Sequence, residues 1–436
     1  MEPLKLNVIV VGAGIAGLSA AIVMSRAGHN VTVFEKSPFK HEAGFMIVMG
    51  WNATRVLESF DFDFSKARSV DSYFVSYTWA SPNITTLLTR LWIETFDGVT
   101  LEKKPSISTK TDNILRSQTR TFYRPDLHTE LKRLAMNNPG GTPATLLLGE
   151  VTRVDIEDGT VYLADGTSHS ANLIIGADGE RSVVKTAFKD PDTLRKAKYR
   201  IFRCLVPTER LLDAPGRAML LMTRNTFSIF TKDNKTLFWF EGRDGLLQDL
   251  EAGYVPDEDD KLPELDPKKA KTKMLRIFED CHPHIISSLQ KAGRVSEWEL
   301  SYFPTPHPHL VSHRALLIGD AAHSMFPTTG QGGSQTIEDV GALSVLFSGI
   351  YTLSALEERM RVYERVRKER AATVASMSGI IFGREAEFAD RRGKKHRIWK
   401  TGIRNGEQHA AFLYDYDVME ESRKALDEET LTRARL

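Results

Sequence analysis

The sequence predicts an α/β chain. A parallel β-sheet is assembled from separated stretches of the chain, interrupted by a mostly antiparallel sheet and followed by a helical C-terminal region. Three observations predict it. Continuous apolar, β-branched runs occur at Asn7–Val11, within Asn172–Gly176 and at Arg314–Ile318, as in strands covered on both faces. Between the second and third, strand-forming runs follow one another from Tyr199 to Arg243, as in an antiparallel sheet with one packed face. The first run passes directly into glycines spaced G-x-G-x-x-G (Gly12, Gly14 and Gly17).

That first stretch, "VIVVGAGIAGLSAAIVMSRAGHNVTVFEK", reads as strand, turn, helix and strand. Gly12 permits the tight turn, Gly14 lets backbone approach a pyrophosphate, and Gly17 lets the helix pack close to the strand. The helix "AGLSAAIVMSRAG" aims its first amides and its dipole at the phosphates, and Gly28 ends it as a left-handed C-cap would. The second strand, "NVTVFE", closes on Glu35, 18 residues after Gly17. An acid there reaches the ribose hydroxyls of an adenosine and repels a 2′-phosphate. The unit is Rossmann-like and built for a dinucleotide other than NADP.

A chain of 436 residues holds two or three domains, and 41% hydrophobic with 26% charged residues supports a full core. A net charge of +1 argues against a nucleic-acid surface. Cys204 and Cys281 are too few for a disulfide framework and fit a reducing compartment. The apolar run near the start is the nucleotide strand itself and not a signal peptide, so a cytoplasmic protein is expected, as monomer or homodimer, with no metal site. "GALSVLFSGIYTLSAL" (Gly341 to Leu356) is shorter than the ~20 apolar residues a membrane span needs and reads as a buried helix.

Along the chain, "IETFDGVTLE" (Ile93 to Glu102) is a hairpin about Asp97-Gly98, and Glu150 to Gly179 adds turns at Asp158-Gly159 and Asp165-Gly166 before returning to the parallel sheet with "NLIIGADG". "YRIFRCLVP", "RAMLLMT", "TFSIF" and "TLFWFEGR" read as successive strands. Pro256 to Lys273 is a charged surface loop leading into a helix, and "RRGKKHR" (Arg391 to Arg397) a solvated helix face. The expected division is a discontinuous nucleotide domain (1–75, 110–185 and 285–360), an inserted sheet domain (76–109 and 186–284) and a helical region (361–436).

Two further segments carry chemistry. "NLIIGADGERSVVK" is a strand and turn that place Asp178 and Gly179. "RALLIGDAAHSMFPTTGQGGSQTIEDVGAL" delivers Asp320 at the carboxyl end of a strand, where ligands bind in open α/β sheets, and then opens a helix with "TGQGGS". Amides bared by glycine can approach a planar heterocycle and stabilise negative charge at its edge. With "YRPDLHTEL" (Tyr123 to Leu131), "GAGIAG" and Glu35, these motifs make the chain resemble the FAD-dependent aromatic hydroxylases, the class A flavoprotein monooxygenases, over roughly Lys5 to Leu356. "QGGSQTIEDVGAL" and "AAFLYDYD" (Ala410 to Asp417) resemble the salicylate-hydroxylase-like branch, often found in fungal secondary metabolism.

The resemblance implies a GR2-type FAD-binding domain. Glu35 would hold the adenosine ribose, Arg124 the pyrophosphate or ribityl region, and Asp320 the ribityl or pyrophosphate segment. Gly330, Gln331, Gly332 and Gly333 would lie against the isoalloxazine with Pro327 beside it, and Asp178 would serve both FAD and the visiting nicotinamide. His323 reads equally as a structural hydrogen bond or a catalytic group. Gly44 and Val151 join the cofactor-binding set, as does Met46, which stands in "GFMI" where the family has a glycine close to the cofactor. With one glycine fingerprint, NADH or NADPH would dock transiently, reduce the flavin and leave. O2 would then give a flavin C4a-hydroperoxide that hydroxylates an aromatic or phenolic small molecule. Arg203, on the first strand of the inserted sheet, is the candidate cation for a phenolate. Phe227, Phe238 and Trp239 line the pocket or the core. An alkene epoxidase and a non-catalytic FAD-binding regulator are the alternatives; no halogenase motif W-x-W-x-I-P is present.

Overall fold

The computed structural model describes residues 3–38, 44–71, 94–104, 119–189, 195–224, 228–260, 262–302, 307–380, 408 and 411–434. Its first six-stranded sheet has the order Val311–Ser312, Ala315–Leu317, Leu173–Gly176, Asn7–Val11, Asn30–Glu35, Thr145–Leu148. All pairs are parallel except the hairpin formed by the first two. The three continuous apolar runs are therefore neighbours, and Ile9, Ile174 and Leu316 lie in the core. The hairpins after Glu150 form a separate three-stranded sheet.

The second six-stranded sheet has the order Val295–Tyr302, Arg195–Pro207, Leu247–Tyr254, Lys235–Gly242, Ser228–Lys232, Glu94–Asp97, and only the last pair is parallel. Side chains alternate across it. Phe202, Cys204, Trp239, Leu250 and Ala252 face a core shared with the helices Pro267–Ile277 and Pro283–Gln290. Arg203, Phe238, Asp249 and Glu251 belong to the other face, which turns toward the nucleotide domain.

Three sequence expectations are corrected. "RAMLLMT" lies in the helix Ala214–Thr223, not a strand. Asp213 caps it by accepting the Gly216 N–H at 3.2 Å, and Pro215 sits in the first turn, a start signal that outweighs β-propensity. Gly341 to Leu356 is not one helix: Gly332–Leu346 ends before Gly349, whose φ is +62°, and a new helix, Leu353–Ile380, begins. Residues 285–302 do not join the nucleotide domain. Ile285 and Leu289 pack in the second core, and Val295–Tyr302 is that sheet's edge strand. Arg391 to Arg397 and Phe227 lie outside the described residues.

The Gly332–Leu346 helix is fixed to Leu353–Ile380 by fully buried charge. Arg367 Nη1 donates to Glu338 Oε2 at 2.5 Å and its Nε to Asp339 Oδ1 at 2.7 Å. Arg370 Nη2 donates to Glu338 Oε1 at 2.7 Å. Burial works against the charge on both carboxyls, but Arg370 and Arg367 on Glu338, and His323 and Arg367 on Asp339, more than offset it and hold both below the ordinary carboxylate range. The stability these acids add is therefore complete above about pH 4.5, their unfolded range, and is lost as pH falls through the lowered folded values. Arg367→Leu would leave a buried carboxylate short of its counter-charge. It should destabilise the fold by about 3–5 kcal/mol, read as a lowered thermal midpoint; a loss below about 1 kcal/mol would show the network to be ornamental.

Candidate functional site

At the first glycine turn, Gly12 has a φ of +96°, and a Cβ there would lie 2.6 Å from Ala177 O. A Cβ on Gly17 would be driven into Gly12 O. Both must be glycine because backbone meets backbone. Gly14 differs: a Cβ there would meet nothing within 4 Å. It opens the helix Ile15–Arg26 with no side-chain cap, so free amides face an open cradle. Glu35 spans the rim, accepting Ala13 N–H and Ser37 N–H, each at 2.7 Å. Buried His128 sits 2.8 Å from Ala13 O through Nε2 and pins the turn from behind. His128 stood inside "YRPDLHTEL", but the sequence reading gave it no role.

The second glycine segment meets the first. Gly319, φ +59°, packs where a Cβ would lie 3.1 Å from Ala16 Cβ, and its N–H donates to Asp339 Oδ2 at 2.8 Å. Asp320 follows. The residue is exposed, yet the surrounding protein desolvates its carboxyl enough to raise its pKa, with His323 and Arg124 pulling the other way. An accessible acid so enclosed lines a recess. Gly330 takes a left-handed turn (φ +61°) after the exposed Pro327, and Gln331, without capping side chain, starts the helix Gly332–Leu346. A Cβ on Gly332 would find only Met325 Cγ at 3.9 Å, whereas Gly333 is tight against Ile47, 2.9 Å from its Cγ2. Two uncapped helix N-termini, the open Gly14 cradle and the recessed Asp320 thus gather at the carboxyl edge of the parallel sheet. They fit a dinucleotide with a planar ring system. Arg124 starts the helix Arg124–Asn137, and its N–H donates to Phe45 O at 3.0 Å.

Several of the residues singled out in the sequence have structural work, and His323 is among them through the hydrogen bond that was one of its two readings. Asp178 Oδ1 accepts from Ser182 Oγ at 2.5 Å and Oδ2 from Val183 N–H at 2.7 Å, closing its own turn beneath the glycine loop; desolvation raises its pKa against those bonds. His323 is buried with Nε2 2.7 Å from Asp339 Oδ2. Val151 is a core residue at the start of the strand Val151–Asp155. Gly44 is needed by Tyr123, whose hydroxyl fills the space of a Cβ. Met46 packs with Ile229, Phe238 and Phe240 of the second sheet, over Gly242.

The two domains meet across Gly44–Met49. The strand Met46–Met49 pairs with Arg120–Tyr123, Met49 and Ile47 pack on Gly333, and Met46 N–H donates to Asp249 Oδ2 at 2.6 Å. The Phe45 ring lies over the Arg203 guanidinium, 4.3 Å from ring centroid to Cζ. Arg203 Nε is 3.0 Å from Glu251 Oε1, so this cation already has a carboxylate partner. Phe238 is opposite Glu251 on the adjoining strand. Trp239, one residue on, faces the other core and donates to Gln248 Oε1 at 2.8 Å. Desolvation pushes both acids, Asp249 and Glu251, up while Arg203 pulls them down; the rise is much the larger for Asp249, which also feels Glu251. Sequence reasoning missed both acids; their i, i+2 spacing in "LQDLEAGY" was the available signal. Among the described residues no group of three His, Cys, Asp or Glu is placed to hold a metal, and no helix is long and apolar enough to cross a membrane.

Comparison with known proteins agrees with this geometry. The model of a family described as FAD binding domain matches residues 155–378, and one described as FAD dependent oxidoreductase matches residues 7–45. The chain is 30% identical to a hispidin-3-hydroxylase of Neonothopanus nambi, covering 99% of this chain and 98% of the relative. A salicylate hydroxylase in its substrate complex superposes with a TM-score of 0.69 at 22% identity, over 97% of this chain and 98% of that one. Klebsiella pneumoniae HpxO, complexed with FAD and uric acid, gives 0.70 at 21% identity, over 97% of each chain. Gly17→Val would push the helix off the turn. The purified variant should lose at least tenfold in FAD retained per chain, by flavin absorbance, while Gly28→Ala, away from the cradle, should keep it; full retention in Gly17→Val would contradict the cradle.

Proposed function

The chain belongs to the class A FAD-dependent aromatic monooxygenases, enzymes that consume NAD(P)H, and from that premise we propose that it hydroxylates a hydroxyl-bearing aromatic small molecule of secondary metabolism. Bound FAD supplies the redox chemistry, taking electrons from NAD(P)H and, with O2, placing one oxygen atom on the substrate. The observation that carries the proposal is Arg203, set on the sheet face covered by the segment Gly44–Met49, whose Phe45 lies on Arg203 and whose Ile47 and Met49 pack on Gly333.

The chain's own residues define what can enter. Phe45 and Phe238 offer ring faces for an aromatic substrate. Met46, Phe240 and Ile229 form an apolar floor that excludes water. Arg203 is the cation on this face that can stabilise a phenolate oxygen, and a cation at that position lowers the phenol's pKa and orients the ring. The uncapped amides at Gly332 and Gly333 would stabilise negative charge on the ring system of the bound cofactor. Glu35, Arg124 and Asp320 would hold the ribose, phosphate and ribityl portions.

The name of the hispidin-3-hydroxylase supports a phenolic substrate. An epoxidase would need no phenolate-stabilising cation. Arg203→Ala should therefore retain FAD but lower product formation by about 10²-fold, assayed by NAD(P)H oxidation coupled to a mass gain of one oxygen across a phenol panel containing hispidin and salicylate. Unimpaired hydroxylation by the variant would refute the role of Arg203.

A further inference from the structure

On the aromatic-hydroxylase reading, the proton of the substrate hydroxyl must find an acceptor in the site. Arg203 is not an empty cation awaiting a phenolate: its Nε is 3.0 Å from Glu251 Oε1. Asp249 lies two residues along the same strand, on the same face. It is wholly buried, its Oδ2 is taken by Met46 N–H, and its Oδ1 has no hydrogen-bond partner. Across the sheet, Phe238 and Phe240 oppose Glu251 and Asp249 and bring no charge. Among the described residues the other ionisable groups near the pair are Tyr199, beside Glu251, Tyr123, beside Asp249, with Arg243 over the Tyr123 ring and paired to Asp126, and the buried Cys204 thiol on the opposite face, which feels both acids and Lys271.

Among the described residues the face thus holds one guanidinium against two carboxyl groups. A buried site tolerates one anion per cation, so Asp249 stays neutral and Glu251 is the ionised partner. A phenolate entering as an anion would bring a second negative charge to one cation. A phenol entering neutral, and surrendering its proton inside, would not.

We propose that Glu251 takes the proton of the substrate hydroxyl and that Arg203 then passes from Glu251 to the phenolate oxygen. The substrate O–H bond breaks, a carboxyl O–H forms on Glu251, and the negative charge moves from carboxylate to phenolate. Net charge in the site is unchanged and no electrons are transferred. Glu251 suits the task because it keeps 8% side-chain exposure, while Asp249 has none.

The test is binding of two neutral phenols, hispidin and 4-cyanophenol, to the FAD-loaded enzyme, followed by perturbation of the flavin spectrum as pH varies. In the wild type, affinity should fall about tenfold per pH unit above the phenol's own pKa, because one proton must enter with the ligand. In that range the wild type should take up one proton per phenol bound, measured with an indicator dye. Glu251→Gln leaves Arg203 without an anion. Its affinity should instead rise about tenfold per unit up to the phenol's pKa, because the phenolate now binds directly. Glu251→Asp should restore the wild-type sign. A Glu251→Gln enzyme with full FAD content and the wild-type sign would overturn the proposal, as would zero proton uptake by the wild type. If neither phenol perturbs the wild-type spectrum or stimulates NAD(P)H oxidation, the hydroxylase reading falls and this inference with it.

Discussion

The site depends on backbone packed against backbone. Gly17 lies so close to Gly12 O that no side chain fits between them, and Gly12 is equally close to Ala177 O. These contacts draw the helix Ile15–Arg26 onto the ends of Asn7–Val11 and Leu173–Gly176, and they leave Gly14 as the one open position of the turn. Gly319 then meets Ala16. Segments some 300 residues apart in sequence therefore share one recess, and a ligand with a phosphate end and a ring end can touch both.

What keeps the second segment in place is charge without water. Gly319 N–H and His323 both bind Asp339, which Arg367 holds from the long helix Leu353–Ile380. Glu338, one residue earlier, takes Arg367, Arg370 and Asn52. Arg370 also donates to the carbonyls of Phe412 and Leu413, which brings the segment Ala411–Asp415 under the same helix. A buried network of this kind is costly to leave half-made, so the glycine-rich helix start is held in one orientation. The accessory sheet is attached differently, through Phe45 on Arg203 and Met46 on Asp249.

Much of this was legible in the residues. The parallel strands were readable because burial on both faces makes them continuously apolar, and the glycine turns because close approach restricts residue type. The substitution of Met46 for glycine was visible, but its direction was not: a strand position tells which face a side chain takes only once the pairing is known, and Met46 turned to the second sheet. The same limit let Phe238 and Trp239 be named together although neighbouring strand residues face opposite ways. The helix Ala214–Thr223 was hidden by an apolar run too short for periodicity to decide, though Asp213 and Pro215 marked its start. Glu251 and Asp249 stayed unnoticed because acids in a strand read as solvent-facing until both faces of the sheet are seen to be covered.

Both glycine segments should grip one FAD. Calorimetric titration of FAD into the apoprotein, with Gly14→Glu and Asp320→Ala alongside the wild type, tests it most directly. One FAD should bind per chain, and a change in either segment alone should weaken it. A wild-type chain that takes up no FAD, or a site indifferent to Asp320, would contradict it.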